Sequence, residues 1–144
     1  MFNKEESEKL RKNFWTSFGK SFPKKWLLYN TKIKGFTFKF YADTKKAFVC
    51  VDIDIKNKEL QLEYYNKMLS LKNILTKDFI NDIIFDDDYI LDNGKSIYRI
   101  YTKLPTKFSI HNKNSWQSAY EFFVKNMTQF ELFWYEYEDF IKDV

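Results

Sequence analysis

The run Asp52-Ile53-Asp54-Ile55-Lys56 places two carboxylates and an ammonium group at alternate positions. On a β-strand alternate side chains share a face. Such a triplet could hold a divalent cation beside a lysine that assists an attacking water, or it could be an ordinary solvated strand face carrying ion pairs.

Three other groups of residues invite chemistry. Asp86-Asp87-Asp88 is dense in negative charge, but it lacks the spacing of a calcium loop, and a hairpin register that sets Asp88 opposite Arg99 makes it half of an ion pair. His111 is the single histidine and sits in a polar run with no cysteine or serine at meaningful spacing, which reads as structural. From Lys9 to Lys46 there are 11 basic residues and one acid, Asp43, interleaved with Phe14, Trp15, Phe18, Phe22, Trp26 and Tyr29. Basic charge beside aromatic faces suits a nucleic-acid backbone and its bases, and Lys20, Lys24, Lys25, Trp26 and Lys32 are the candidate contacts.

Charge is polarised along the chain. Residues 1 to 72 carry 16 Lys/Arg against 8 Asp/Glu, hence +8, and residues 73 to 144 carry 8 against 12, hence −4, which together make the net +4. Only Arg11 and Arg99 among the 24 basic residues are arginine. Lysine is a point charge without the planar fork that reads guanine, so sequence-specific recognition is not expected. The alternative for the lysine-rich half is a solvated surface, or one that meets an acidic partner.

Composition bounds the class. With 144 residues, 44% apolar and 21% aromatic, the chain is long enough for one domain with a continuous core. We expect a single domain over residues 1–144. One cysteine, Cys50, rules out an internal disulfide and fits a reducing cytoplasm. The charged stretch from Met1 to Arg11 has no apolar signal region, and no apolar run reaches the roughly 18 residues of a membrane span. Cytoplasmic location and no membrane partner are the expectations. Gly19, Gly35 and Gly94 are isolated, so a glycine-rich phosphate loop is excluded.

The positioning elements follow from periodicity. Leu10, Phe14 and Phe18 recur at helical spacing over Lys4 to Phe18, with Glu5, Glu6 and Glu8 in the first turns and Gly19 as a C-terminal stop. Pro23 marks a turn, and Trp26 to Asn30 is strand or loop. Phe36, Phe38 and Phe40 then alternate with Thr37, Lys39 and Tyr41, while Val49, Val51, Ile53 and Ile55 alternate with Phe48, Cys50, Asp52 and Asp54. A turn at Asp43 to Lys46 pairs Phe40 with Val49, Phe38 with Val51 and Phe36 with Ile53, which makes the apolar faces coincide. Thr37 and Gly35 then oppose Asp52 and Asp54, and Lys39 lies diagonal to Asp52 within ion-pair reach.

Leu60, Tyr64, Met68, Leu71 and Leu75 define a helix over Lys58 to Leu75. Asn93-Gly94 signals a two-residue turn between strands Tyr89–Leu91 and Ser96–Lys103, with Pro105 beyond. Asn114 and Gln117 form a capping box for a final helix striped by Trp116, Tyr120, Phe123, Met127, Phe130, Trp134, Tyr137 and Ile141. That helix is roughly 40 Å long at 1.5 Å per residue, more than a small sheet covers. Phe122, Phe133 and Phe140 form a second stripe and are the interface candidates. The order helix, hairpin, helix, hairpin, helix predicts an α+β fold, with an antiparallel sheet of about four strands packed against helices.

Phe14-Trp15, Phe18-Gly19, Trp26 to Lys32, Phe38 to Asp43, Asn93-Gly94-Lys95, Arg99-Ile100-Tyr101, Trp116, Phe130-Glu131 and Tyr135-Glu136-Tyr137 carry a resemblance. Nearly the whole chain resembles the bacterial family called domain of unknown function four-two-six-eight. Members occur alone or C-terminal to restriction-endonuclease-like nuclease domains, so the resemblance implies a genome-maintenance or defence context and no catalytic residues.

In that context Asp54-Ile55-Lys56 matches the Asp/Glu-x-Lys half of a restriction-type nuclease, which needs a further carboxylate from the neighbouring strand. Asp43 is the only nearby upstream acid, and at about 3.3 Å per residue it falls roughly 26 Å from Asp54. Glu5, Glu6 or Glu8 would have to complete the site. The leading expectation is a non-catalytic module that binds itself or a protein partner through its last helix. A weak, sequence-independent nucleic-acid accessory is the alternative, and a degenerate metal-dependent nuclease built on Asp52, Asp54 and Lys56 is the second. No cofactor or metal is expected, except Mg²⁺ under the nuclease reading.

Overall fold

A computed structural model describes residues 2–24, 26 and 30–144. Asn3 caps the first helix, α1 (Lys4–Ser21), by accepting a hydrogen bond from the Glu6 amide, and Glu5 and Glu6 occupy the positive end of its dipole. Gly19 does not stop this helix. A Cβ there would meet nothing, and the helix runs on until Phe22 donates its amide to the Phe18 carbonyl and Pro23 removes the next donor. The expected strand or loop from Trp26 to Asn30 falls largely outside the described residues.

Strands β1 (Phe36–Ala42) and β2 (Ala47–Ile53) pair antiparallel with Phe40 opposite Val49, Phe38 opposite Val51 and Phe36 opposite Ile53, as the alternation requires. Helix α2 (Lys58–Ser70) starts on the Asn57 side chain, which accepts from the Glu59 and Leu60 amides. The single helix expected to Leu75 is broken. Leu71 leaves helical geometry, a three-residue turn α3 (Lys72–Ile74) follows, and a π-helical turn (Leu75–Phe79) closes with the Ile80 amide on the Leu75 carbonyl. The break keeps Met68, Leu71, Leu75 and Ile80 all buried while the chain changes direction.

Strands β3 (Ile84–Ile90) and β4 (Ser96–Lys103) complete a four-stranded antiparallel sheet in the order β1-β2-β4-β3. The turn at Asn93-Gly94 spans three residues rather than two. Gly94 donates to Leu91, Leu91 donates to Lys95, and Gly94 alone takes a positive φ of 85°, the pattern of a type I turn closed by a left-handed glycine. A bulge between Asp86 and Tyr89 also shifts the register. Asp86, not Asp88, therefore faces Arg99, and Asp88 accepts the Ser96 hydroxyl at 2.5 Å.

The last helix, α4 (Trp116–Lys142), is entered through a 3₁₀ turn (Lys113–Ser115). Its cap is Asn112, which accepts from the Asn114 amide; Asn114 lies inside the turn and forms no capping box. α4 crosses the inner face of the sheet, packing Phe130 and Trp134 on Phe38 at 5.3 and 5.6 Å between ring centroids. Its length is covered at both ends. α1 brings Phe14 and Phe18 against Tyr120 and Phe123, and the π-turn brings Phe79 against Phe133 at 5.5 Å. Each fully buried phenylalanine in this layer is worth about 2–3 kcal/mol in removed apolar area. Among the described residues no helix is long and apolar enough to cross a membrane.

Candidate functional site

The triplet Asp52, Asp54 and Lys56 does not form one site. β2 is buried on both faces, and Asp52 is only 2% exposed, so the expectation of a solvated face fails at this residue. Its neighbour on the far side explains this. β4 places Arg99 opposite Asp52, and Arg99 donates Nε and Nη2 to the two carboxylate oxygens at 2.6 and 2.8 Å. Lys39 adds the expected diagonal ion pair at 3.2 Å. Burial alone would raise the Asp52 pKa, but the bonds and charge of Arg99, with Lys39, hold it below the usual carboxylate value. Rings roof the pair: the Arg99 guanidinium lies 4.2 Å from the Tyr89 centroid and 5.0 Å from that of Phe48, and Phe48 stacks on Tyr41 at 4.4 Å.

Asp54 belongs to different surroundings. It pairs with Lys95 at 2.9 Å and donates its amide to the Gly35 carbonyl. Thr37 and Gly35 occupy the opposing positions where a nuclease would carry an acid. Glu5 and Glu6 sit in the first turn of α1, and Glu6 borders the His111 cavity rather than that of Asp54. Among the described residues no group of three His, Cys, Asp or Glu side chains could hold a metal.

What Asp54 and Lys56 do share is a cavity of about 890 Å³ lined by five lysines: Lys32 and Lys34 before β1, Lys56 between β2 and α2, Lys58 at the start of α2, and Lys95 from the β3–β4 turn. Asp54 is its sole carboxylate, and Lys95 already neutralises it. The Lys58 ammonium donates to the Ile55 carbonyl and the Gln61 side chain at 3.2 and 3.3 Å. Among the described residues Lys32, Lys34 and Lys56 make no ion pair.

The loop that presents Lys32 and Lys34 is stapled rather than loose. The buried Thr31 hydroxyl donates to the Phe36 carbonyl at 2.6 Å and accepts from the Ile33 amide at 3.2 Å. Lys32 adopts a left-handed φ of 63°, and its amide bonds the Asn30 side chain. Gly35, at φ 84°, presses so close to β2 that a Cβ would lie 2.5 Å from the Asp54 carbonyl oxygen. The α2 N-terminus at Asn57 and Lys58 adds the positive end of a helix dipole to the cavity wall. Ile33, Ile55, Leu60 and Tyr64 supply apolar walls. The described lining is therefore cationic, with its one carboxylate, Asp54, held by Lys95.

The other sequence candidates separate. Lys20 stands in the last turn of α1. Lys24 pairs with Glu131 at 2.9 Å and covers the Trp26 ring at 4.3 Å. Trp26 is 4% exposed and packs edge-on against Phe40, so it presents no face for a base to stack on. Lys25 lies outside the described residues. Among the described members of that set, Lys32 alone lines the lysine cavity. Of the interface candidates, Phe133 is fully buried against Phe79 and Tyr137, which removes it from any interface. Phe122 packs half-buried against the core, and Phe140 is 44% exposed with the Lys67 ammonium over its ring.

His111 does meet a serine. Ser7 Oγ lies 2.9 Å from His111 Nε2, an approach across 104 residues that spacing does not reveal. Among the described residues no carboxylate bonds the other ring nitrogen, and the contact ties α1 to the loop before α4.

Residues 10–138 match the family described as Domain of unknown function (DUF4268). The chain belongs to that family. No curated protein and no solved structure matches it. The DUF4268 match spans every strand, most of α1 and α4, all five cavity lysines and both arginines. The sheet and the cavity built on its end are thus parts of the DUF4268 domain itself.

Proposed function

We propose that this DUF4268 protein is a non-catalytic module that binds the phosphate backbone of nucleic acid, without sequence preference, through the lysine-lined cavity. One observation carries the reading: five lysines from three separate parts of the chain line one cavity whose single carboxylate is already paired. Like charges gathered at one place repel unless an anion offsets them, and a polyanion offsets several at once. Lysine point charges without arginine forks grip phosphates but do not read bases, which supports sequence independence. The bacterial genome-maintenance or defence context that the sequence resemblance implies supports this reading.

Anisotropy of a labelled short duplex, titrated at several salt concentrations, tests this. Affinity should fall steeply between about 50 and 200 mM salt, and the double variant Lys34→Gln/Lys56→Gln should flatten the log–log slope by roughly two units. Salt-independent binding, or a slope unchanged in the double variant, overturns the reading. Mg²⁺-dependent cleavage of the same duplex that is lost in Asp54→Ala would instead revive the nuclease alternative.

Self-association has weaker support. It rests on Leu132, Tyr135 and Phe140, each about half exposed along α4, since Phe133 is committed to the core.

A further inference from the structure

The chain has 24 basic residues and only two arginines, Arg11 and Arg99. They come from α1 and β4, yet both line one cavity of about 420 Å³, between the Asp43–Lys46 turn and the tip of the β3–β4 hairpin. Lys45 and Lys46 join them there, and Tyr41 and Tyr89 form aromatic walls. This cavity is separate from the lysine cavity: one lies at the turn end of β1 and the other at its Gly35 end, about 20 Å apart along a seven-residue strand.

Every other cation in the chain is a lysine, so the placement of the two planar forks at one cavity is the informative fact. Forks match the oxygens of phosphate or carboxylate in pairs, where an ammonium offers a single point charge. Asp52 takes Nε and one Nη2 hydrogen on one edge of Arg99, which leaves the remaining Nη hydrogens for a ligand. The position of Arg99 is fixed by Asp52 beneath it and Tyr89 beside it, so little side-chain freedom remains to be lost on binding. Arg11 and Lys45 have no ion-pair partner among the described residues.

The two carboxylates of the cavity offset only part of this charge: Asp43 and Asp92 stand against Arg11, Lys45 and Lys46, while Asp52 balances Arg99. The Asp43 oxygens are taken up within the turn, one by the Lys45 and Lys46 amides and the other by the Tyr41 hydroxyl. Asp92 stays exposed at the hairpin tip and can accept from a hydroxyl or amine. A cavity of about 420 Å³ lies within the range of small-ligand sites.

We propose that this cavity binds a small phosphomonoester of the nucleotide class, with Arg11 and Arg99 on the phosphate and the tyrosine walls against the base. The site is independent of the lysine cavity and of the reading attached to it.

Isothermal titration of the whole chain with a nucleoside 5′-monophosphate, the parent nucleoside and inorganic phosphate tests the proposal. The monophosphate should bind saturably, and Arg11→Lys, which keeps the charge and removes the fork, should weaken it by about tenfold or more. Arg11 is exposed on α1, so this variant should melt like the parent protein. Inorganic phosphate bound with the same dependence on Arg11 supports the anion site with free phosphate as the source. No saturable binding of either phosphate probe, nucleoside binding as tight as monophosphate binding, or binding unchanged in Arg11→Lys each overturns the proposal. Lys34→Gln/Lys56→Gln should leave monophosphate binding intact while altering duplex binding, so failure of one reading is distinguishable from failure of the other.

Discussion

Arg99 and Asp52 form a two-pronged pair across neighbouring strands, with both prongs at or below 2.8 Å and both residues at most 5% exposed. The pair lies in the sheet with the Arg99 guanidinium under the rings of Tyr41, Phe48 and Tyr89. A buried ion leaves water at high cost, so the loss of one partner strands the other. Asp52→Ala should lower unfolding stability by about 3–5 kcal/mol in urea titration, and Asp52→Leu/Arg99→Met should recover most of that loss. A double variant no more stable than Asp52→Ala would show that the two residues act separately.

The same pair sets an acid limit. Asp52 has its pKa lowered in the folded state because Arg99 and Lys39 outweigh its burial. Its contribution is therefore complete above the ordinary carboxylate value near 3.9, declines as the unfolded chain takes up a proton below that value, and is lost once pH passes below the folded pKa. Asp43, also lowered against its own burial by the Lys45 and Lys46 amides, adds a similar limb. Urea midpoints measured at stepped pH should fall below about pH 4, and Asp52→Asn should make that fall shallower while leaving the Asp43 part.

Two glycines should respond with opposite signs. Gly35 combines a φ of 84° with a closest approach of 2.5 Å between a would-be Cβ and the Asp54 carbonyl oxygen. Gly35→Ala should destabilise by more than about 1 kcal/mol and should weaken duplex binding too, because the displaced strand end carries the cavity wall. Gly19 lies inside α1 with open space around it, so Gly19→Ala should stabilise by roughly 0.5–1 kcal/mol. Thermal melts of the two variants check both signs.

The first hairpin was legible because Phe36, Phe38 and Phe40 alternate in phase with Val49, Val51 and Ile53, and only one register buries both sets. What alternation cannot say is which strand lies on the other side of β2. That neighbour is β4, and it brings Arg99 to Asp52 and turns an apparent surface into a buried pair. The bulge at Asp86 to Tyr89 likewise moves the register by one residue without any glycine or proline to announce it. The lysine cavity was hidden for a related reason. Lys34, Lys58 and Lys95 are ordinary loop and turn lysines in sequence, and their convergence depends on where the sheet ends and how the second hairpin is placed. Proximity in the chain groups Lys32 with Lys20, Lys24 and Lys25, whereas the Thr31 staple sets it among the cavity residues instead.

Phe133 and Phe140 look alike in the sequence, seven residues apart on one helix stripe, and the structure gives them opposite tasks. Phe133 has no exposed surface and sits between Phe79 and Tyr137, holding the π-turn against α4. Phe133→Ala should cost about 3–5 kcal/mol, because the removed ring leaves a void that the surrounding aromatic layer cannot close. Phe140 is 44% exposed and carries the Lys67 ammonium over its ring, so Phe140→Ala should cost under about 1 kcal/mol. If α4 also mediates self-association, Phe140→Ala and Leu132→Ala should shift sedimentation toward the monomer at unchanged stability. Equal sedimentation of these variants and the parent protein at every concentration would remove α4 as a contact between copies and leave its aromatic stripe wholly to the core.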